Sequence, residues 1–186
     1  MLVAAKNDAA HRHLAAQFAD HGRTGPLERA YQAVVWSRPR QLRGTIDAPL
    51  GRAGDRIKRA VKREGSDDAR EAVTHYEVME RFHEKPDATA LAALIECRLE
   101  TGRTHQIRVH MAHIGCPLVG DPDYSAGFRT KVNLLPEPAK TVVSGFHRQA
   151  LHAFLLAFEH PRTGEVMEFR APMPKDMEAL VASLRQ

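Results

Sequence analysis

The sequence predicts an α+β fold: a mixed, largely antiparallel sheet flanked by helices. Two observations carry this. Runs of alternating apolar and polar residues follow one another along most of the chain, and consecutive strands make antiparallel neighbours. Helical periodicity is confined to three places, after Asn7, after Thr104 and after Asp176.

The opening MLVAA reads as a buried strand already under way at residue 1. Asn7 or Asp8 then caps a helix running to about His21. Leu14 and Phe18 share one of its faces and Gly22 ends it. PLERAYQAVVW alternates, with Leu27, Arg29, Tyr31, Ala33 and Val35 on one face and Ala30, Gln32, Val34 and Trp36 on the other. Arg38 to Gly54, rich in Pro, Gly and Arg, is expected to be irregular, with one short strand near Gly44 to Asp47. RIKRAVKREGSDDAR has little apolar content and reads as a basic loop or short helix. AVTHYEVMERF and ALAALIECRLE are strands, the second the clearer, with Leu91, Ala93, Ile95, Cys97 and Leu99 on one face.

Thr104 is the expected N-cap of the next helix, whose buried stripe is Ile107, Met111 and Ile114. CPLVGDPDY reads as a short strand and turn, and Phe128 to Arg148 as loop. ALHAFLLAFEHPRTGEVMEFRAP gives two strands around a turn at Pro161 to Gly164. Asp176 is the expected cap of a last helix carrying Met177, Leu180, Val181 and Leu184.

Composition narrows the function classes. The chain has 186 residues, 43% hydrophobic and 27% charged, which is enough for one domain with its own core. Lys and Arg number 27 against 23 Asp and Glu; this mild excess permits a polyanionic partner without demanding one. Cys97 and Cys116 make no CxxC pair and no disulfide framework, so a reducing, cytoplasmic setting is expected. No apolar run reaches membrane-spanning length, and MLVAAKND lacks the basic leader of a signal peptide. A monomer is expected.

The chemistry concentrates in RLETGRTHQIRVHMAHIG, Arg98 to Gly115. A strand that runs into a helix start brings backbone N–H groups to one point, and Arg103 sits there. Arg108 borders the buried stripe. A half-buried guanidinium needs an anionic partner, because an unpaired buried charge costs several kcal/mol. That partner is either an ordinary structural carboxylate or a catalytic carboxylate held ionised by the arginine. His105, His110 and His113 raise a metal-dependent hydrolase as an alternative, but no Glu or Cys joins them at ligand spacing.

LETGRTHQIRVHMAHIGCPLVGDPDY resembles the signature of the RluA-type RNA pseudouridine synthases. ERAYQAVV resembles the family's strand with its active-site tyrosine. RQALHAFLLAFEHPRTGEVMEFRAPMP resembles its C-terminal hairpin, and MLVAAKN the strand after its catalytic box. The likeness spans nearly the whole chain and implies the pseudouridine synthase catalytic fold over residues 1–186, as a single domain without an S4-like RNA-binding domain. It implies isomerisation of uridine by detaching the base, rotating it and rejoining it through carbon, with no metal or other cofactor. Tyr31 matches the tyrosine that stacks on the flipped base and is a candidate proton acceptor. Arg108 matches the arginine that pairs with the nucleophilic aspartate, and Leu99 an apolar residue against the site. Arg103, His105 and Gln106 lie in the signature as substrate-binding candidates, whereas Asp121 reads as structural.

The family's His-Arg-Leu-Asp box has no counterpart in this sequence. The expectation is therefore an N-terminally truncated domain, inactive alone. The partner is expected to be structured RNA, ribosomal RNA first and transfer RNA second. Its phosphates would meet the cluster Arg52, Arg56, Lys58, Arg59, Lys62 and Arg63, with Arg52 and Arg59 the leading candidates. The competing reading is a non-catalytic RNA-binding module of the same fold.

Overall fold

The computed structural model describes residues 1–54, 58–83 and 90–186; Arg56 of the basic cluster lies outside them. Helix α1 spans Asp8–Asp20. Asn7 Oδ1 accepts the Ala10 N–H at its start, and His21 closes it in the left-handed region at φ 61°. Among the described residues eight strands follow: β1 Glu28–Trp36, β2 Arg43–Asp47, β3 Leu50–Arg52, β4 Arg59–Val61, β5 Val73–Phe82, β6 Ala92–Leu99, β7 Leu151–Glu159 and β8 Val166–Arg170. Between β6 and β7 lie α2 Gln106–His113, a 3-10 helix at Ala126–Leu134 and α3 Ala139–Ser144. The last element is α4, Lys175–Leu184.

Six strands form one sheet in the order β2-β5-β6-β1-β7-β8, every neighbouring pair antiparallel. β3 and β4 form a separate hairpin. The centre of the sheet, β6 and β1, is covered on both faces. Val34, Trp36, Ala92 and Leu94 meet Phe146, Met177 and Leu180 on one side. Ala33, Val35, Ile95 and Cys97 meet Ile107, Met111 and Leu118 on the other. Burying each large apolar side chain contributes about 1.5–3 kcal/mol, so two covered faces fix the β1 register firmly. Tyr31 stands opposite Cys97 on β6 and Ala153 on β7 as a result.

Several local expectations are corrected. Residues 1–7 form no strand; Met1 and Leu2 are exposed instead of paired. The stretch expected to be a basic loop or helix contains strand β4, and β3 joins β2 in the segment expected to hold one strand. These pieces of three residues are too short to show a period. Phe128 to Arg148 is largely helical. A 3-10 helix lacks the 3.6 period, and α3 has only six residues, so neither could be read as a pattern. CPLVGDPDY contributes only an isolated bridge between Leu118 and Val35. Pro174, not Asp176, occupies the α4 N-cap, and the Asp176 carboxylate accepts from Arg148 at 2.7 and 2.8 Å.

Candidate active site

The TGR–HQIR string builds a turn before it builds a helix. Thr104 does not cap α2; the N-cap is His105, itself in the left-handed region at φ 58°. The buried Gln106 side chain does the holding. Its Oε1 accepts from the Thr101 hydroxyl at 2.7 Å and the Arg103 N–H at 3.0 Å. Its Nε2 donates to Val73 O and Thr74 Oγ1 on β5. All four hydrogen-bonding positions of this amide are thus engaged within the chain. Gln106 shapes the site from behind and has no group left for substrate.

Arg108 does not wait for a carboxylate from outside the chain, contrary to expectation. Its Nε and Nη2 hold Asp121 side-on at 2.7 and 2.8 Å, and Nη2 also reaches Asp123 at 2.7 Å. The Asp121 hydrogen bonds and charge raise the Arg108 pKa further. Burial alone would raise the Asp121 pKa, but Arg108 and the Asp123 and Tyr124 N–H groups outweigh it and hold this carboxyl low. The guanidinium also lies 4.8 Å from the centre of the Tyr124 ring. The Tyr124 hydroxyl accepts from the Arg59 N–H and sits 3.0 Å from His105 Nδ1. Arg108 therefore ties α2, the GDPD turn and β4 together.

Tyr31 is half-buried on β1 and lines a cavity of about 210 Å³ with Arg29, Phe18, Ala153, Leu155, Leu156 and residues 1–3. Leu99 packs against the same apolar cluster as Tyr31. Burial raises the Tyr31 pKa, and the nearby Arg29 charge opposes it only in part, so the phenol is un-ionised at neutral pH.

Arg29 was missed as a site residue. It is 7% exposed, and its Nε and Nη2 are buried with no hydrogen-bond partner among the described residues. A Cβ on Gly102 would stand 2.2 Å from its Nη1, so this glycine makes room for the guanidinium. The signal was present in the sequence: Arg29 falls in register with the inward-facing Leu27, Tyr31, Ala33 and Val35, on the face that should exclude charge.

Other arginines of the expected substrate-binding set gather elsewhere. A second cavity, of about 370 Å³, is lined by Arg52, Arg59, Arg70, Arg103, Thr104 and Asp68, with Leu50 and Gly51. Arg59 Nη1 is buried there without a partner among the described residues, while Arg103 Nε donates to Glu71 O. His21 feels the charges of both Arg29 and Arg103, one arginine from each cavity. Burial lowers its pKa, and the charges of Arg103, Arg29 and Arg23 lower it further.

The three histidines of the signature do not converge on a metal. His110 uses Nδ1 on Thr74 and Nε2 on Ala48 O, and no cluster of three metal-ligating side chains occurs among the described residues. No helix among the described residues is long and apolar enough to cross a membrane.

This geometry can be set beside known proteins. The RNA pseudouridylate synthase family model matches residues 1–113. "Uncharacterized RNA pseudouridine synthase YlyB" of Bacillus subtilis is 46% identical over 187 residues, covering 100% of this chain and 52% of that one. "Ribosomal large subunit pseudouridine synthase D" of Zymomonas mobilis is 45% identical over 185 residues, covering 99% and 52%. Among solved structures, "Human RNA Pseudouridylate Synthase Domain Containing 1" superposes with a TM-score of 0.66 at 25% identity, over 97% of this chain and 69% of that one. The chain spans about half the length of these two bacterial relatives. A tyrosine-bearing central strand, a TGR–HQIR turn locked by its own glutamine and an antiparallel sheet covered on both faces thus agree with a match that runs through all of them, and the chain belongs to the RluA-type RNA pseudouridylate synthases.

Proposed function

We propose that this chain carries the uridine-binding part of an RNA pseudouridine synthase site acting on large-subunit ribosomal RNA, with transfer RNA as the alternative substrate. The observation that supports it is the Tyr31 cavity: a half-buried, un-ionised aromatic ring in a small, largely apolar pocket, in a chain that lines a second cavity with four arginines. Extruding a base from structured RNA costs a few kcal/mol. Stacking on Tyr31 returns about 1–3 kcal/mol of that, and Leu99 packs against the same apolar cluster as Tyr31. Phosphates on either side of the extruded nucleotide are met by Arg52, Arg59 and Arg103, with His105 behind Tyr124.

In the reaction the N1–C1′ glycosidic bond breaks, the uracil turns, C5 bonds to C1′, the hydrogen on C5 leaves as a proton and N1 takes one up. A raised phenol pKa suits Tyr31 to stacking and to hydrogen bonding through its neutral hydroxyl, and makes it a poor phenolate base. No carboxylate lines the Tyr31 cavity among the described residues. We therefore place the nucleophilic aspartate outside residues 1–186 and expect this chain alone to bind RNA without turnover. That same observation favours, as a second reading, a non-catalytic RNA-binding module. Cys97 and Cys116 fit a reducing, cytoplasmic setting: both are buried free thiols whose pKa burial pushes up, to about 12 and about 11.

The test is tritium release from ribosomal RNA labelled at C5 of uridine, together with filter binding. The chain alone should bind in a salt-sensitive manner and release no tritium. Release by the chain alone would contradict the missing-carboxylate reading, and absence of RNA binding would contradict both readings.

A further inference from the structure

Hairpin β3–β4 brings two arginines to the basic cavity, yet it is poorly built to stand alone. Each strand has three residues, and a two-stranded ribbon is at best marginally stable in water. Its last rung pairs Arg52 with Arg59. Directly opposite side chains share a face, so two like charges confront each other there and weaken the pairing. The rung has no ladder hydrogen bonds of its own either. The Ala53 N–H donates to Lys58 O and the Lys62 N–H to Pro49 O, in the same register. Antiparallel bonds alternate along a pair, so the N–H groups of Arg52 and Arg59 point outward from the hairpin.

Both outward groups are caught by side chains from outside the two strands. The Arg52 N–H donates to Asp68 Oδ2 at 2.8 Å, and the Arg59 N–H to the Tyr124 hydroxyl at 2.9 Å. Asp68 also meets Lys62 Nζ at 3.3 Å, which answers its charge. Tyr124 comes from the distant GDPD turn, 65 residues from Arg59. Its ring is fixed before it reaches the hairpin. The Arg108 guanidinium, itself gripped by Asp121, lies 4.8 Å from the ring centre, and the His105 ring stands edge-on at 5.8 Å. The hydroxyl keeps its own hydrogen for His105 Nδ1, 3.0 Å away.

We propose that Tyr124 is a positioning residue that carries the rigidity of the Arg108–Asp121 pair to β4 and so sets where the Arg59 guanidinium stands in the basic cavity. Two facing arginines repel each other until an anion arrives, so the rung that carries them must be held from outside. Asp68 holds the Arg52 strand and Tyr124 the Arg59 strand. The proposal rests on the reading above, in which this cavity receives RNA phosphates.

Tyr124→Phe is the test, because it keeps the ring against Arg108 and removes only the hydroxyl. In the 186-residue chain the Arg59 amide, followed by NMR, should exchange with solvent at least about tenfold faster in this variant. Filter binding of ribosomal RNA should weaken about three- to tenfold, the size of one hydrogen bond. The slope of log affinity against log salt should fall toward that of Arg59→Gln. In an Arg59→Gln background Tyr124→Phe should weaken binding little further, since no guanidinium is left at that position to be placed. A Tyr124→Phe chain of lower Tm with unchanged Arg59 exchange and salt slope would mark Tyr124 as a packing residue and overturn the proposal. Equal losses of affinity in the two backgrounds would overturn it as well. Absence of RNA binding by the unchanged chain defeats the reading of the cavity and this proposal with it, whereas RNA binding indifferent to Tyr124→Phe defeats this proposal alone.

Discussion

A buried guanidinium is costly without an anion: Arg108 has two carboxylates, whereas Nε and Nη2 of Arg29 have no partner among the described residues. Arg108 finds Asp121, whose side chain is fully buried, and Asp123, which is about one-third exposed. Asp121→Asn should therefore destabilise by about 3–5 kcal/mol, the cost of breaking a buried pair, and Asp123→Asn by no more than about 1 kcal/mol; urea unfolding of both variants measures the difference. Gly102→Ala tests the other guanidinium. Its Cβ must push against Arg29 Nη1, so it should lower the Tm, which thermal denaturation measures. The burial of Arg108 was legible from its place beside the helix stripe. Its partner was not, because Asp121 lies 13 residues downstream in a turn, and only the folded chain brings it back. Arg29 was legible as an inward charge on an apolar face, but its neighbours Phe18 and Gly102 come to it only in the folded chain.

Helix α2 is held to strand β5 by a chain of buried polar groups. Gln106 Nε2 donates to Thr74 Oγ1, the Thr74 hydroxyl donates to His110 Nδ1, and His110 Nε2–H donates to Ala48 O. This arrangement requires a neutral imidazole. Burial lowers the His110 pKa from 6.5, His113 lowers it further, and the Ala48 hydrogen bond and Asp47 oppose the shift without reversing it. The unfolded chain therefore takes up this proton more readily than the folded one. Its contribution to stability is complete above pH 6.5 and is lost as the pH falls below that value. Denaturation midpoints measured across this range should decline with acidification, and His110→Gln should flatten the decline in part, since His21 and His105 are shifted in the same direction. The long strands and the two outer helices were readable because each carries a sustained period. The start of α2 was not, because a left-handed His105 and the side chain of Gln106, the first residue of the helix, do the work that Thr104 was expected to do. The 3-10 helix and α3 stayed hidden for lack of length and period.

The molecule places its chemistry by burying the middle of its sheet from both sides, which leaves Tyr31 fixed toward one end of β1 and near the turn that follows β6. Around that point the positive charge is uneven. Four arginines line one cavity, although the chain as a whole carries only a mild positive excess. If that cavity receives RNA phosphates, Arg59→Gln should reduce the slope of log affinity against log salt by about 0.7, the value for one phosphate of a single strand. Arg148→Gln, whose partner is Asp176, should leave the slope unchanged. The fold class and most of the strand order along the chain were thus open to sequence reasoning, while the gathering of Arg52, Arg59, Arg70 and Arg103 around one cavity needed the folded chain. The most direct measurement joins residues 1–186 to the part of the Bacillus subtilis relative that they do not cover, and follows tritium release from C5-labelled ribosomal RNA. Release by the joined protein that vanishes in its Tyr31→Ala variant is the predicted result. Undiminished release from that variant would show that the uridine reacts somewhere other than against Tyr31.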